Sequence, residues 1–165
     1  MSFLRTKTIH GNQYCYLVEN QYTKKGPRQK VKKYLGRTFK IELKQELDFF
    51  NCFQIKDLNT YLKKPKKEIL NNLIKFELTK HGFKEQKNLL ICLPFFYKDM
   101  KILKNDKEAI LSLNEGFLCS FTLKRILDFK KTKDLQKDAK NLAKYFVEAG
   151  IQIPREIFIS IYEKS

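Results

Sequence analysis

The sequence predicts an α+β fold: an N-terminal three-stranded antiparallel β-meander packed on a mainly helical body with one or two additional short strands. Three observations lead to this prediction. The first forty residues alternate with the two-residue period of strands, and from Leu43 onward the apolar period lengthens to that of helices. Apolar residues make up 42% of the 165 residues, which is enough to form a core.

Three strands are expected in the N-terminal part. Residues 2–9 favour β structure and end at Gly11, and residues 13–19 are rich in aromatic and branched side chains. After a polar turn around residues 24–27, residues 28–35 alternate again and stop at Gly36. The short connections predict a meander.

Alternation also assigns side chains to the two faces of this sheet, because successive strand residues point to opposite sides. One register gathers the basic and tyrosine side chains on a single face: Arg5, Lys7, Tyr14, Tyr16, Arg28, Lys30, Lys32 and Tyr34. The reverse face then carries apolar side chains that pack on helices: Leu4, Leu17, Val31 and Leu35.

Helices dominate the predicted body. Pro65 before residues 66–80 and Gly82 after them mark the ends of one helix. A second helix runs over residues 134–149 with Gly150 as its cap, and a last one begins at Pro154.

The other elements of the body are shorter. Leu43, Leu47 and Phe50 form an apolar stripe of helical spacing, and Ser120 or Thr122 caps a short helix. Residues 88–96 and 109–113 are expected as buried strands or extended segments. We divide the chain into a basic β-meander module, residues 1–41, and a mainly helical domain, residues 42–165.

Charge is distributed unevenly between these modules. The chain has 34 Lys and Arg against 18 Asp and Glu, a net charge of +16. Residues 1–40 hold ten of the basic residues and one acidic residue, Glu19, so +9 falls in the first quarter of the chain. A basic surface of this kind indicates a polyanionic partner, and nucleic acid is the leading one.

The N-terminal module therefore supplies the predicted nucleic-acid-binding residues. They are Arg5, Lys7, Tyr14, Tyr16, Lys24, Lys25, Arg28, Lys30, Lys32, Lys33 and Arg37. The cations neutralise phosphates, and the tyrosines add stacking. The alternative is a solvated face whose lysines protect the sheet from aggregation.

A secondary basic patch is predicted around residues 124–133. Its members are Lys124, Arg125, Lys130, Lys131 and Lys133. A solvated helix surface explains these residues almost as well.

The string Tyr14-Cys-Tyr-Leu-Val-Glu-Asn20, followed by Arg28-Gln-Lys30 and Lys33-Tyr-Leu-Gly36, resembles the N-terminal segment of some insertion-sequence transposases. It also resembles the segment that precedes the catalytic domain in some archaeal Fic-type proteins. The resemblance covers residues 3–37 and implies a small β module that docks nucleic acid. It implies no enzyme activity, because the Fic-type catalytic motif and the long transposase catalytic core are both absent.

The sequence offers little for catalysis or metal binding. The four cysteines lie at least 27 positions apart among apolar neighbours, which is typical of buried unreactive thiols rather than zinc ligands. Asp99, Asp106, Glu108 and Glu115 are close in sequence, but turn solvation accounts for them. We predict no cofactor, no metal and no catalytic residue.

These observations favour a non-enzymatic nucleic-acid-binding protein, with duplex DNA slightly favoured over structured RNA. The alternatives are an adaptor that docks on an acidic protein or ribonucleoprotein and, less favoured, a small metal-dependent nuclease that uses the carboxylates of residues 99–115. The chain has no membrane-length apolar run and no apolar N-terminal signal, so we expect a cytoplasmic protein without a membrane partner. Its oligomeric state stays open.

Overall fold

A computed structural model describes residues 2–24 and 26–165 of the chain. The predicted meander is confirmed: β1 (Ser2–Ile9), β2 (Asn12–Thr23) and β3 (Gly26–Lys40) pair antiparallel in that order. The sequence predicted that this strand stops at Gly36, but β3 continues to Lys40. Gly36 continues the strand at a φ of +139°, a conformation that favours glycine, and the residues after it form a new pairing.

That new pairing joins the meander to the rest of the molecule. The C-terminal end of β3 runs parallel to β9 (Ile110–Leu113), and β9 pairs antiparallel with β10 (Gly116–Leu118). The result is a five-stranded sheet, which we call sheet A, with the order β1-β2-β3-β9-β10. Residues from both sides of the predicted boundary at residue 41 thus share one sheet, and the boundary itself stays a prediction.

A second five-stranded sheet, sheet B, is a meander of consecutive short strands. It comprises β4 (Lys84–Gln86), β5 (Leu89–Cys92), β6 (Phe95–Lys98), β7 (Lys101–Lys104) and β8 (Lys107–Glu108). Three of its turns, at residues 87–88, 99–100 and 105–106, place both central residues at positive φ, which is the geometry of tight hairpins.

The prediction of a mainly helical body is therefore wrong. Seven strands follow residue 80 in the described part of the chain, and the structure as a whole is 34% helix and 36% strand. The strands of sheet B are two to four residues long, too short to show a period in the sequence. Their turns also lack the glycine that normally marks a hairpin.

Six helices complete the described fold. They are α1 (Phe49–Cys52), α2 (Leu58–Leu62), α3 (Lys66–Lys80), α4 (Ser120–Leu127), α5 (Leu135–Ala149) and α6 (Arg155–Glu163). The long helices α3 and α5 begin and end where the sequence predicts, and Gly150 caps α5 in the left-handed conformation. None of the helices among the described residues is long and apolar enough to span a membrane.

The helical stripe predicted from Leu43 is not formed. Residues 41–48 form neither helix nor strand, and the side chains of Leu43 and Leu47 are exposed. The backbone N–H groups of Lys44 and Gln45 instead donate to the carbonyl oxygen of Lys80, at 2.9 and 3.2 Å. Helix α1, which follows, is only one turn long.

Two apolar clusters hold these elements together. The larger one surrounds α3, whose Ile69, Leu70, Leu73 and Ile74 have no exposed surface, and it includes side chains from both sheets. The smaller one consists of Cys15, Ile110 and Cys119 with partly buried neighbours such as Leu4 and Leu35. In it Leu4 and Leu35 pack beside Ile110 of β9 and Cys119, the N-cap residue of α4, and the predicted packing of the apolar face on helices stays a prediction.

Candidate nucleic-acid interface

Two bulges in β3 decide which side chains share a face of the meander. Pairing with β2 skips Lys32, between the pairs Leu17–Lys33 and Val18–Val31, and it skips Leu35 in the same way. Each bulge adds one residue and moves the side chains that follow it to the opposite face. Tyr34 therefore shares a face with Val31 rather than with Lys30.

The first face, which we call the tyrosine face, carries aromatic, apolar and basic side chains together. Its members are Arg5, Lys7, Tyr14, Tyr16, Val18, Gln29, Val31 and Tyr34. All of these residues except Tyr14 and Tyr34 line a groove of about 300 Å³, and Val31 and Tyr34 are 57% and 53% exposed. Val31 was predicted to pack on helices; the bulge at Lys32 places it among the tyrosines instead.

The three tyrosines of this face form one cluster. The Tyr16 and Tyr34 rings have centroids 5.4 Å apart, and the Tyr14 and Tyr34 rings 6.3 Å apart. Partial burial, together with the nearby phenols, raises the pKa of Tyr34 above its ordinary value. On β1, Arg5 lies opposite Tyr16 and donates a hydrogen bond to Gln29 Oε1.

The opposite face, which we call the lysine face, carries Arg28, Lys30, Lys32 and Lys33. Lys32 Nζ lies 2.7 Å from Glu19 Oε2, and this hydrogen bond holds the pKa of the Glu19 carboxyl below its usual value. The single basic face predicted from alternation is therefore wrong: Arg5 and Lys7 lie on the opposite side of the sheet from Arg28 and Lys30. The bulges cause this division.

The far end of the meander is a two-stranded ribbon. The pairing of β1 ends at Ser2 and Glu19, whereas β2 and β3 continue as a pair over residues 20–23 and 26–29. Lys24, Arg28 and the 90% exposed Tyr22 lie on this ribbon. Lys25, also a predicted contact, lies outside the described residues.

Arg37 occupies the seam where sheet A meets sheet B. Its guanidinium carbon is 4.9 Å from the centroid of the Phe39 ring, and Lys104 Nζ from β7 is 4.2 Å from the same centroid. Sequence reasoning identified Arg37 but missed Phe39 and Lys104. No local signal could have found them, because Lys104 belongs to sheet B and reaches this ring only where the two sheets meet.

The secondary basic patch is less uniform than predicted. Arg125 forms an ion pair with Glu148 at 2.5 Å, and its guanidinium lies 4.2 Å from the centroid of Tyr145. Lys131 donates a hydrogen bond to the carbonyl oxygen of Glu163 at 2.9 Å. Lys124, Lys130 and Lys133 are exposed.

The acidic residues near position 100 lie on different turns and strands. Asp99, Asp106 and Glu115 occupy three different hairpin turns, and Glu108 accepts from Ser120 at 2.9 Å. The described residues hold no group of three or more His, Cys, Asp or Glu side chains that could bind a metal ion.

The cysteines differ in their environments. Cys15 and Cys119 are buried, as predicted, whereas Cys92 is half-buried and Cys52 is exposed. The prediction was wrong for Cys52 because α1 buries Phe49 in the core and leaves its last residue at the surface.

No family model, curated protein or solved structure matches this chain. The resemblance of residues 3–37 to transposase and Fic-type segments accordingly stays a prediction.

Proposed function

We propose that this chain is a non-enzymatic nucleic-acid-binding protein that contacts phosphates through the N-terminal meander. The supporting observation is that most cations of the meander have no carboxylate partner. Of the described basic residues in positions 2–40, only Lys32 has a carboxylate oxygen within 4.0 Å. The others are exposed cations without an internal counter-charge, which is the arrangement that favours a polyanion.

The shape of the meander supports the same proposal. A two-stranded ribbon fits the major groove of duplex DNA, and the ribbon beyond Glu19 has both faces exposed. The contacts would be mainly to phosphates, because Arg28 lies on the ribbon and Lys30 and Lys33 follow it on the lysine face of β3. Duplex DNA thus stays slightly favoured over structured RNA as the ligand of the ribbon.

A gel-shift experiment tests this function with two matched charge reversals. Wild-type protein is expected to bind duplex DNA or a structured RNA at about 50 mM salt. The triple variant R28E/K30E/K33E should lose this binding while its melting temperature stays near that of the wild type. The control K56E/K63E/K137E changes the net charge equally through exposed lysines that lie away from the meander, and it should still bind.

Two results would overturn the proposal. One is no binding of either nucleic acid by the wild type, and the other is equal loss of binding in the two triple variants. If the wild type binds neither nucleic acid but co-purifies with one defined protein after nuclease treatment, the adaptor function replaces this one. Metal-dependent cleavage that is lost in D99N/E115Q would instead support the nuclease.

A further inference from the structure

We infer that the tyrosine face and the seam between the two sheets form one binding trough for single-stranded nucleic acid. This inference deepens the proposed function and rests on it. The ligand of the trough is an unpaired strand, whereas the ribbon and the lysine face suit a duplex.

The trough consists of three neighbouring grooves along β3. Tyr16 lines the groove of the tyrosine face, and Tyr34, whose ring centroid is 5.4 Å from that of Tyr16, lines a second groove of about 540 Å³ together with Arg37. A third groove of about 600 Å³ shares Arg37, Phe39 and Lys104 with the second. Together they follow β3 from Val31 to Lys40, a distance of about 30 Å, which suits several nucleotides.

The charge of the lining favours an anion. Six cations line the three grooves: Arg5, Lys7, Arg37, Lys40, Lys104 and Lys107. Among the described residues, none of the six has a carboxylate oxygen within 4.0 Å. The one acidic residue of the lining, Glu108, is already engaged by Lys101 at 3.2 Å and by Ser120.

Aromatic rings lie between these cations. Tyr16 and Tyr34 stand between Arg5 and Arg37, and Phe39 contacts both Arg37 and Lys104. Bases of a single strand stack on such rings while the cations hold the backbone, and this combination binds strands with little sequence preference. The bases of a duplex are stacked on each other, so their faces are closed to these rings.

Fluorescence anisotropy with a labelled oligothymidylate of about 12 nucleotides tests the inference, with the same strand in a duplex as the comparison. Y34A should weaken single-strand binding about fivefold to a hundredfold, the loss expected for one base stack. Y34F keeps the ring and should retain the wild-type affinity. L135A removes a 65% exposed apolar side chain of α5, outside the meander, and should leave single-strand binding unchanged.

The inference and the proposed function fail in different ways. If the wild type binds the duplex but not the single strand, or if Y34A weakens both equally, the trough is wrong and the proposed function stands. If the wild type binds neither, both are wrong.

If the melting temperature shows that Y34A does not fold, a second measurement on the wild-type protein tests the inference. Wild-type protein is photocrosslinked to a strand that contains 5-iodouracil, and the crosslinked peptides are identified by mass spectrometry. Crosslinks to Tyr16, Tyr34 or Phe39 support the trough. Crosslinks confined to residues outside it overturn the inference.

Discussion

Tyr16 on β2 and Tyr34 on β3 face each other with ring centroids 5.4 Å apart and an interplanar angle of 51°. The bulge at Lys32 creates this pair, because it moves Tyr34 from the face of Lys30 to the face of Tyr16. The same bulge separates the aromatic and lysine surfaces of the meander. One added residue thus gives a narrow sheet two chemically different faces.

Two buried threonines should respond in opposite ways to loss of the hydroxyl. Thr38 Oγ1 is buried and has no hydrogen-bond partner, so T38V should leave the free energy of unfolding unchanged or raise it by up to about 1 kcal/mol. Thr122 Oγ1 donates to the Phe117 carbonyl at 2.8 Å and accepts from the Cys119 N–H at 3.2 Å. T122V should therefore cost about 1 to 3 kcal/mol.

Urea denaturation of the two variants measures this difference. An equal loss of stability in T38V and T122V would contradict the assignment of Thr38 as an unsatisfied hydroxyl.

Glu77 should contribute far more to stability than an exposed glutamate. It is fully buried at the end of α3, where it contacts Lys80 Nζ at 3.0 Å and accepts from Asn114 Nδ2 at 2.8 Å. E77Q leaves the buried Lys80 charge without its counter-charge and should cost about 3 to 5 kcal/mol.

The matched control is E85Q, which breaks the exposed ion pair with Lys75 and should cost less than about 1 kcal/mol. Chemical denaturation at neutral pH compares the two variants. If E77Q were no less stable than E85Q, the buried Lys80 charge would not depend on Glu77 as its counter-charge.

Cys15 should make the protein less stable at high pH. Burial, and then the neighbouring Cys119, raises the pKa of the Cys15 thiol from 9.0 to about 12. The folded chain therefore keeps a proton that the unfolded chain releases above pH 9. This contribution is complete below pH 9 and is lost as the pH rises from 9 towards 12.

Urea titrations of the wild type and C15A at several pH values from 8 to about 11 test this dependence. Above pH 9 the stability of the wild type should fall more steeply, by about 1 kcal/mol per pH unit relative to C15A. Parallel curves for the two proteins would show that the Cys15 thiol ionises equally in the folded and unfolded states.

Part of this structure could be predicted from the sequence because the signals are local. Pro65 and Gly82 frame α3, Gly150 caps α5, and the alternation of aromatic residues marks β2. Such signals depend only on residues adjacent in the chain.

The rest depends on tertiary pairing. The bulges at Lys32 and Leu35 appear only when β3 is aligned with β2, so strict alternation placed Arg28 and Lys30 beside Arg5. Residues 88–96 were expected to be extended, but the rest of sheet B was missed because residues such as Asp99 and Asn105 make its tight turns without a glycine. The contact between Phe39 and Lys104 joins sheet A to sheet B, so it could not be predicted without the positions of both sheets.

The salt dependence of binding tests the central claim, nucleic-acid binding through the meander, most directly. For a short labelled duplex, the logarithm of the binding constant should fall linearly with the logarithm of salt concentration, by about 0.9 per phosphate neutralised. The neutralised variant R28Q/K30Q/K33Q should reduce this slope by about 2 to 3, whereas K56Q/K63Q/K137Q should leave it unchanged. The same slope in all three proteins, or no binding at about 50 mM salt, would contradict the claim.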